Sequence, residues 1–234
     1  MIGLIGAAAG AAVVVAATSI GTPVNTTDKA AIEKIVRDYI LEHPEILPEA
    51  MDRLQDRESA KAVAASRKTI ETPFKGAWEG NPNGDVVLVQ FFDYACGYCR
   101  ASLPDIDRLL REDPKLKIVY REMPVLGPDS EAAARLSLTV ASTNQNYGRF
   151  HRALYAAGRP DAAARAKLAA ANGVPANPSE NPAIEQELAA NQQLQGALRI
   201  TGTPTWIVGD KMLSGAVGYA ALKAAIAEER AKKS

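Results

Sequence analysis

The chain has 234 residues, with 27 basic and 27 acidic side chains and a formal net charge of zero. That balance excludes the electrostatic footprint of a nucleic-acid binder. Aromatic residues make up 6% while alanine recurs throughout, which favours helices over an all-β design, and the length fits one domain carrying an insertion or an appendage.

Residues 1–21 read as a signal peptide or an N-terminal membrane anchor. Ile2 to Ile20 carry no charge, and the first charged side chain is Asp28. Small residues at Ala16, Ala17 and Ser19 suit a signal peptidase, and the uncharged span is also just long enough to cross a bilayer. Either way the globular part is exported to a periplasmic or other extracytoplasmic compartment, where disulfides form and persist.

Residues 27–71 read as a helical arm and linker. Ile32, Ile35, Val36, Tyr39 and Ile40 recur at the spacing of an amphipathic helix. Pro44 stops that helix, and Pro48 suits the first turn of a second one, which carries Leu47, Met51 and Leu54 on one side. From Gln55 to Lys68 the sequence is charged and alanine-rich, with Val63 its one sizeable apolar residue. So little to bury predicts a stalk. The Ile32–Leu54 stripe then becomes the association surface of a homo-oligomer formed through residues 28–70, the competing reading being that it packs back onto its own domain.

Residues 72–234 read as the domain proper. Phe74 to Trp78 suggest a short first strand, and Asn81-Pro82-Asn83-Gly84 is a turn signal. The continuous apolar run Val86 to Phe92 fits a central strand buried on both faces. A helix opening at Cys96 meets a kink near Pro104 and runs towards Arg111, and Lys117 to Glu122 alternates as a strand ended by Met123-Pro124. Residues 129–198 form a helical insertion punctuated at Gly148, Gly158-Arg159-Pro160, Asn172-Gly173 and Asn181-Pro182. Thr205 to Val208 and Lys211 to Ser214 flank the hairpin turn Gly209-Asp210, and Gly218 to Lys232 is a closing helix. The order βαβ, helices, ββα gives an α/β class with a parallel strand pair and an antiparallel edge.

The two cysteines of the chain stand together as Cys96-Gly97-Tyr98-Cys99 at the end of the central strand. A helix N-terminus offers unpaired N–H groups and positive dipole to a thiolate at Cys96, and helical geometry brings the third residue on to the same side. This suits thiol-disulfide chemistry. A purely structural disulfide is the weaker alternative, since closing a loop of about four residues stabilises by roughly 2 kcal/mol against about 4.7 for a loop of about a hundred. Zinc would need further ligands, and His43 and His151 lie far off in sequence. Copper(I) held by two soft thiolates is allowed by the residue types.

The stretch Phe91-Phe92-Asp93-Tyr94-Ala95-Cys96-Gly97-Tyr98-Cys99, the helical insertion, and Gly202-Thr203-Pro204-Thr205 before the last hairpin resemble the DsbA-type disulfide oxidoreductases of the thioredoxin fold. Residues 39–51, Tyr-Ile-Leu-Glu-His-Pro-Glu-Ile-Leu-Pro-Glu-Ala-Met, resemble the N-terminal region of the family's ScsC-like branch, some members of which oligomerise through it. The resemblance implies a thioredoxin fold with a helical insertion and an N-terminal helical arm. It implies that Cys96 is the nucleophile and Cys99 the resolving thiol, and that the Thr203–Pro204 bond is cis and faces them. Thr203 would then pair with an extended substrate segment as an added strand, with Gly97 and Tyr98 on the same binding surface. No cofactor is implied. The partners are exported proteins with cysteines and a membrane thiol reductase or oxidase.

Gly97-Tyr98 places no cation between the cysteines, which argues for moderate oxidising power. With the oligomerising arm, it tilts the expected activity towards isomerase or reductase, with a DsbA-type oxidase or a copper-binding protein as alternatives. Many thioredoxin-fold enzymes carry a buried acid six residues before the first cysteine. Here that position is Gln90, which cannot act as a base, and strand alternation would point Asp93 to the opposite side. Tyr94 and Tyr98 are candidates to flank a substrate groove.

Overall fold

A computed structural model describes residues 26–143, 147–178 and 181–233, so the expected signal or anchor over residues 1–21 lies outside the described residues. The elements in chain order are helices α1 (Thr26–Glu42) and α2 (Ile46–Glu71), strands β1 (Trp78–Gly80) and β2 (Val86–Phe92), helices α3 (Gly97–Ala101) and α4 (Leu103–Glu112), and strand β3 (Leu116–Glu122). Helices α5 (Pro128–Ser142), α6 (Tyr147–Ala156), α7 (Ala162–Ala171) and α8 (Pro182–Ala197) follow. Strands β4 (Thr205–Val208) and β5 (Lys211–Ser214) and helix α9 (Gly218–Lys232) close the chain. Two compact units divide it, one ending at Ala50 and the other starting at Met51.

In the first unit, α1 ends two residues before Pro44, as the proline requires. Lys34 and Asp38 pair one turn apart at 2.6 Å on its polar side. Ile32, Ile35, Val36 and Tyr39 are all exposed. Among the described residues no helix is long and apolar enough to cross a membrane.

In the second unit the sheet order is β1-β3-β2-β4-β5. The α3–α4 crossover makes β2 and β3 parallel, in register from Val86 opposite Leu116 to Phe92 opposite Glu122. β1 adds antiparallel to β3, and the β4–β5 hairpin adds antiparallel to β2. The pleat sends alternate residues of β2 to opposite layers. Val86, Leu88 and Phe92 join Ile118, Trp206, Leu136, Phe150 and Leu222 in one core, while Val89 and Phe91 join Val119, Ile207, Leu194 and Leu198 in the other.

That second core also takes in Val63 and Ile70 of α2, so the end of this helix is not the bare stalk that its composition suggests. Burying two such side chains stabilises by about 1.5–3 kcal/mol each. Arg121 of β3 fixes the same end. Its Nε donates to the Ile70 carbonyl at 3.2 Å, its Nη2 to the carbonyls of Thr69 and Thr72, and its Nη1 to Glu187 at 2.7 Å. A buried guanidinium thus meets carbonyls left open at a helix C-terminus. Val63 alone among alanines and charges gave no periodic stripe to read, and the Arg121 contacts span some fifty residues of sequence.

One other expectation changes. Phe74 to Ala77 form no strand: the Ala77 N–H turns back to the Phe74 carbonyl and the Gly76 N–H reaches the Ala141 carbonyl, the Ala77 carbonyl takes the Tyr120 N–H at 3.0 Å, and strand pairing runs from Trp78 opposite Val119. Gly148 is the second residue of α6, just past the break after α5, and a Cβ there would meet the Glu79 carboxylate. Glu79 is held there by Arg152 at 2.7 Å.

Candidate active site

The end of β2 delivers the cysteine turn. After Phe92 the chain leaves the sheet, and the Cys96 N–H donates back to the Asp93 carbonyl at 3.0 Å. Cys96 is the N-cap of α3 in an extended conformation (φ −78°, ψ 116°), and its Sγ accepts the Cys99 N–H at 3.4 Å. The sulfur therefore occupies the place that a serine or aspartate oxygen takes at ordinary helix starts. Its thiol donates to the Thr203 carbonyl at 3.3 Å. Both cysteines are free thiols. Cys96 retains 7% of its surface and Cys99 none. Burial, with Cys96 nearby, pushes the Cys99 thiol up to about 12.

The helix that begins here breaks at Ser102, two residues before the expected kink at Pro104. Ser102 Oγ donates to the Tyr98 carbonyl at 2.9 Å, and Pro104 falls in the first turn of α4. Gly97 and Tyr98 lie on the first turn of α3, with Tyr98 71% exposed.

The opposite wall comes from the loop before β4. The Thr203–Pro204 peptide bond is cis. Thr205 Oγ1 donates to the Gly202 carbonyl at 2.8 Å, and the Pro204 carbonyl accepts the Gly215 N–H at 2.8 Å, so both sides of the loop are fixed. Cys96 and Thr203 are thereby brought into direct contact across more than a hundred residues of sequence.

Asp93 follows the last strand residue, so strand alternation does not govern it. Its buried carboxylate accepts from the Ala95 N–H at 2.7 Å, the Val125 N–H at 2.8 Å, the Leu126 N–H at 2.9 Å and Ser130 Oγ at 2.7 Å. Gln90 is fully buried, and neither its amide nitrogen nor its oxygen finds a partner among the described residues. Tyr94 does not flank a groove. It is buried, its hydroxyl 2.8 Å from Ser137 Oγ and 2.9 Å from His151 Nδ1.

Behind the turn lies a polar cluster that sequence reasoning missed. Ser137 Oγ donates to the Tyr147 hydroxyl at 3.1 Å, Tyr147 approaches Glu122 Oε1 at 3.4 Å, and the Tyr155 hydroxyl donates to the Asp93 carbonyl at 3.0 Å. Burial raises Glu122 well above the usual carboxylate range, and burial, aided by Arg152, lowers His151 to about 3. One signal was available: Tyr147, Phe150, His151, Leu154 and Tyr155 form a single helical stripe, placing the histidine on an apolar face. Among the described residues no group of three or more His, Cys, Asp or Glu side chains is gathered to hold a metal.

A family model described as a DSBA-like thioredoxin domain matches residues 87–227, and one described as the copper resistance protein ScsC N-terminal domain matches residues 28–61. Among solved structures, a linker-deletion mutant of ScsC from Proteus mirabilis aligns with a TM-score of 0.72 at 25% identity, covering 91% of this chain and 99% of that one. The thiol-disulfide exchange protein alpha-DsbA2 from Wolbachia pipientis aligns at 0.67 and 27% identity over 75% of this chain and 97% of its own. A thioredoxin-like oxidoreductase from Silicibacter pomeroyi is 34% identical, with a TM-score of 0.60, over 67% of this chain and 92% of its own. No curated protein matches the chain by sequence.

Proposed function

The chain belongs to the DsbA-like thioredoxin-domain family, and from that premise we propose that this thiol-disulfide oxidoreductase reduces and rearranges disulfides in exported proteins. The observation that carries the reading is the setting of Cys96, whose sulfur takes a backbone N–H from Cys99 and lies against the Thr203 carbonyl, with a small part of the residue still open to solvent where Cys99 has none.

The Cys96 thiolate attacks one sulfur of a client disulfide. A Cys96–client bond forms, the client's own S–S bond breaks, and the second client sulfur leaves as thiolate. Two outcomes follow. Cys99, once deprotonated, attacks Cys96 sulfur, closing the Cys96–Cys99 disulfide and expelling the client thiolate; the client gains two electrons and the pair loses two. Alternatively a client thiolate attacks its own bonded sulfur and expels Cys96, and the disulfide moves with no net redox change. After reduction, a membrane thiol reductase would return the pair to dithiol. An extended client segment would pair with Thr203 beside the nucleophile.

Two features support the isomerase or reductase direction over donation of disulfides. Gly97-Tyr98 brings no charge to the thiolate, so its stabilisation comes from backbone N–H groups. The exposed stripe of α1 would gather several active sites around one misfolded client by self-association. The uncharged residues 2–20 favour a periplasmic or other extracytoplasmic location, with tethering where that segment is kept.

The test is recovery of scrambled ribonuclease in a glutathione buffer. Wild-type protein restores activity, Cys96→Ala abolishes the gain, and Cys99→Ala loses the part that runs through reduction, both variants leaving the circular-dichroism spectrum unchanged. The copper-resistance description of the N-terminal match gives one alternative its footing: tight copper(I) binding without any ribonuclease recovery would favour a metal-holding role for the same two thiols.

A further inference from the structure

Tyr155 is buried in the same apolar core as both cysteines, and its hydroxyl donates to the Asp93 carbonyl at 3.0 Å. That carbonyl also takes the Cys96 N–H at 3.0 Å, so it stays paired even without the tyrosine. The neighbouring tyrosine hydroxyls are engaged elsewhere: Tyr94 with Ser137 and His151, Tyr147 with Ser137 and Glu122, Tyr120 with Glu79. Among the described hydroxyls of the helical insertion, only that of Tyr155 bonds to the backbone of the cysteine turn. Burial first, and Cys99 next, hold its ionisation well above 10. The hydroxyl therefore keeps its proton and acts as a donor. Cys99 exposes no surface, and burial outweighs the support that its thiolate draws from the Asp93 backbone and Thr203. A charge forming on that sulfur is cut off from water and gains from any donor within reach.

We propose that Tyr155 is a switchable donor for the resolving step: its hydroxyl proton rests on the Asp93 carbonyl while Cys99 is a thiol and turns to Cys99 Sγ as the thiolate forms. A hydroxyl rotates to suit its partners, and the Cys96 N–H keeps the Asp93 carbonyl paired meanwhile, so no buried acceptor is stranded. In this step the Cys99 proton leaves to hydroxide from the solvent. The Cys99–Cys96 bond forms, the Cys96–client bond breaks, and the client sulfur departs with the electron pair as thiolate. Tyr155 lends a hydrogen bond and gives up no proton. The inference rests on the oxidoreductase reading above and adds the group that steadies its second nucleophile.

The experiment uses the full chain and a fluorescent peptide whose single cysteine is activated as a disulfide with nitrothiobenzoate. Loss of nitrothiobenzoate reports attack by Cys96, and loss of the peptide reports attack by Cys99. In Tyr155→Phe, peptide release should slow about threefold: the thiolate population falls about tenfold, offset in part because a less stabilised thiolate is the better nucleophile. Loading should keep its rate, since the Cys96 sulfur has its own N–H from Cys99. Placing 3-fluorotyrosine at position 155 preserves the ring and strengthens the donor, so release should run faster than in wild type. A Tyr155→Phe protein slowed in loading and release alike has lost the shape of the turn, and one unchanged in both makes no use of the hydroxyl; either result overturns the proposal. Should Tyr155→Phe fail to fold, the fluorotyrosine protein decides, and release no faster than wild type refutes the donor. Wild-type protein that never loads the peptide brings down the oxidoreductase reading, and the role of Tyr155 with it.

Discussion

Burial pushes the Cys99 thiol up to about 12, so at pH 7 roughly one molecule in 10⁵ carries it as the thiolate, the form that attacks. Cys96, three residues earlier at the mouth of the same turn, has a backbone N–H on its sulfur and an opening to solvent. The client-release step that uses Cys99 should therefore accelerate about tenfold per pH unit between pH 7 and 10, because deprotonation supplies the nucleophile. Stopped-flow release of a peptide trapped on Cys96 reads this directly; a flat profile would show that a neighbouring group takes the proton within the step. The cysteines and Thr203-Pro204 were legible in the sequence because each is a short contiguous motif. Tyr94, Glu122 and His151 were not, since their character comes from burial against residues 25 to 57 positions away. Asp93 was visible as a residue, but its partners belong to a loop some thirty residues on.

At the scale of elements, α5 and α6 close over the end of β3 and bury two groups whose titrations oppose each other. His151 is lowered from 6.5 to about 3. Below pH 6.5 the unfolded chain takes up a proton that the folded chain refuses, so its contribution is present above 6.5 and lost as pH falls towards 3. Glu122 is raised above 4.5 by burial. The folded chain keeps a proton that the unfolded chain releases above 4.5, so its contribution is full below 4.5 and lost as pH rises through the folded value. Above pH 4.5 and below 6.5 the two groups act in opposite directions. Glu122→Gln removes one of them, and stability measured by urea unfolding should then fall by about 1.4 kcal/mol per unit on acidification across that window. An unaltered slope in this variant would count against the two-group account. The strands β2, β3, β4 and β5 and helix α9 were readable from continuous apolar runs, alternation and the Gly209-Asp210 turn. β1 was placed too early because Phe74 to Ala77 form a turn, with Gly76 bonded to the end of α5 and only the Ala77 carbonyl reaching the sheet, while Gly148 marked the break between α5 and α6 to within a few residues.

For the whole molecule, the informative boundary lies within α2. Its exposed Leu47, Met51 and Leu54 continue the apolar character of α1, while Val63, Ile70 and the Arg121 contacts tie its end into the second core. Deleting residues 26–50 should leave a stable monomer that still cycles its cysteine pair and isomerises poorly. Extending the deletion to residue 70 should cost several kcal/mol more, because it removes two buried side chains and strips a buried guanidinium of two of its three carbonyl partners. Analytical ultracentrifugation and urea unfolding of both truncations provide the comparison, and a full-length protein that already sediments as a monomer rules out self-association through the arm.

The order of the sheet has a bearing on the proposed work on unfolded clients. Such clients expose unpaired strands, which add readily to any long open edge and drive co-aggregation. Here the outermost strands are the three-residue β1, which ends at Gly80 with φ +85°, and the four-residue β5, with exposed Lys211 at its start and Gly215 just past its end. Both rims are too short, and one too charged, to template a foreign strand. Under the proposed function, this turns a client's backbone away from the flanks of the sheet and towards the segment beside Cys96.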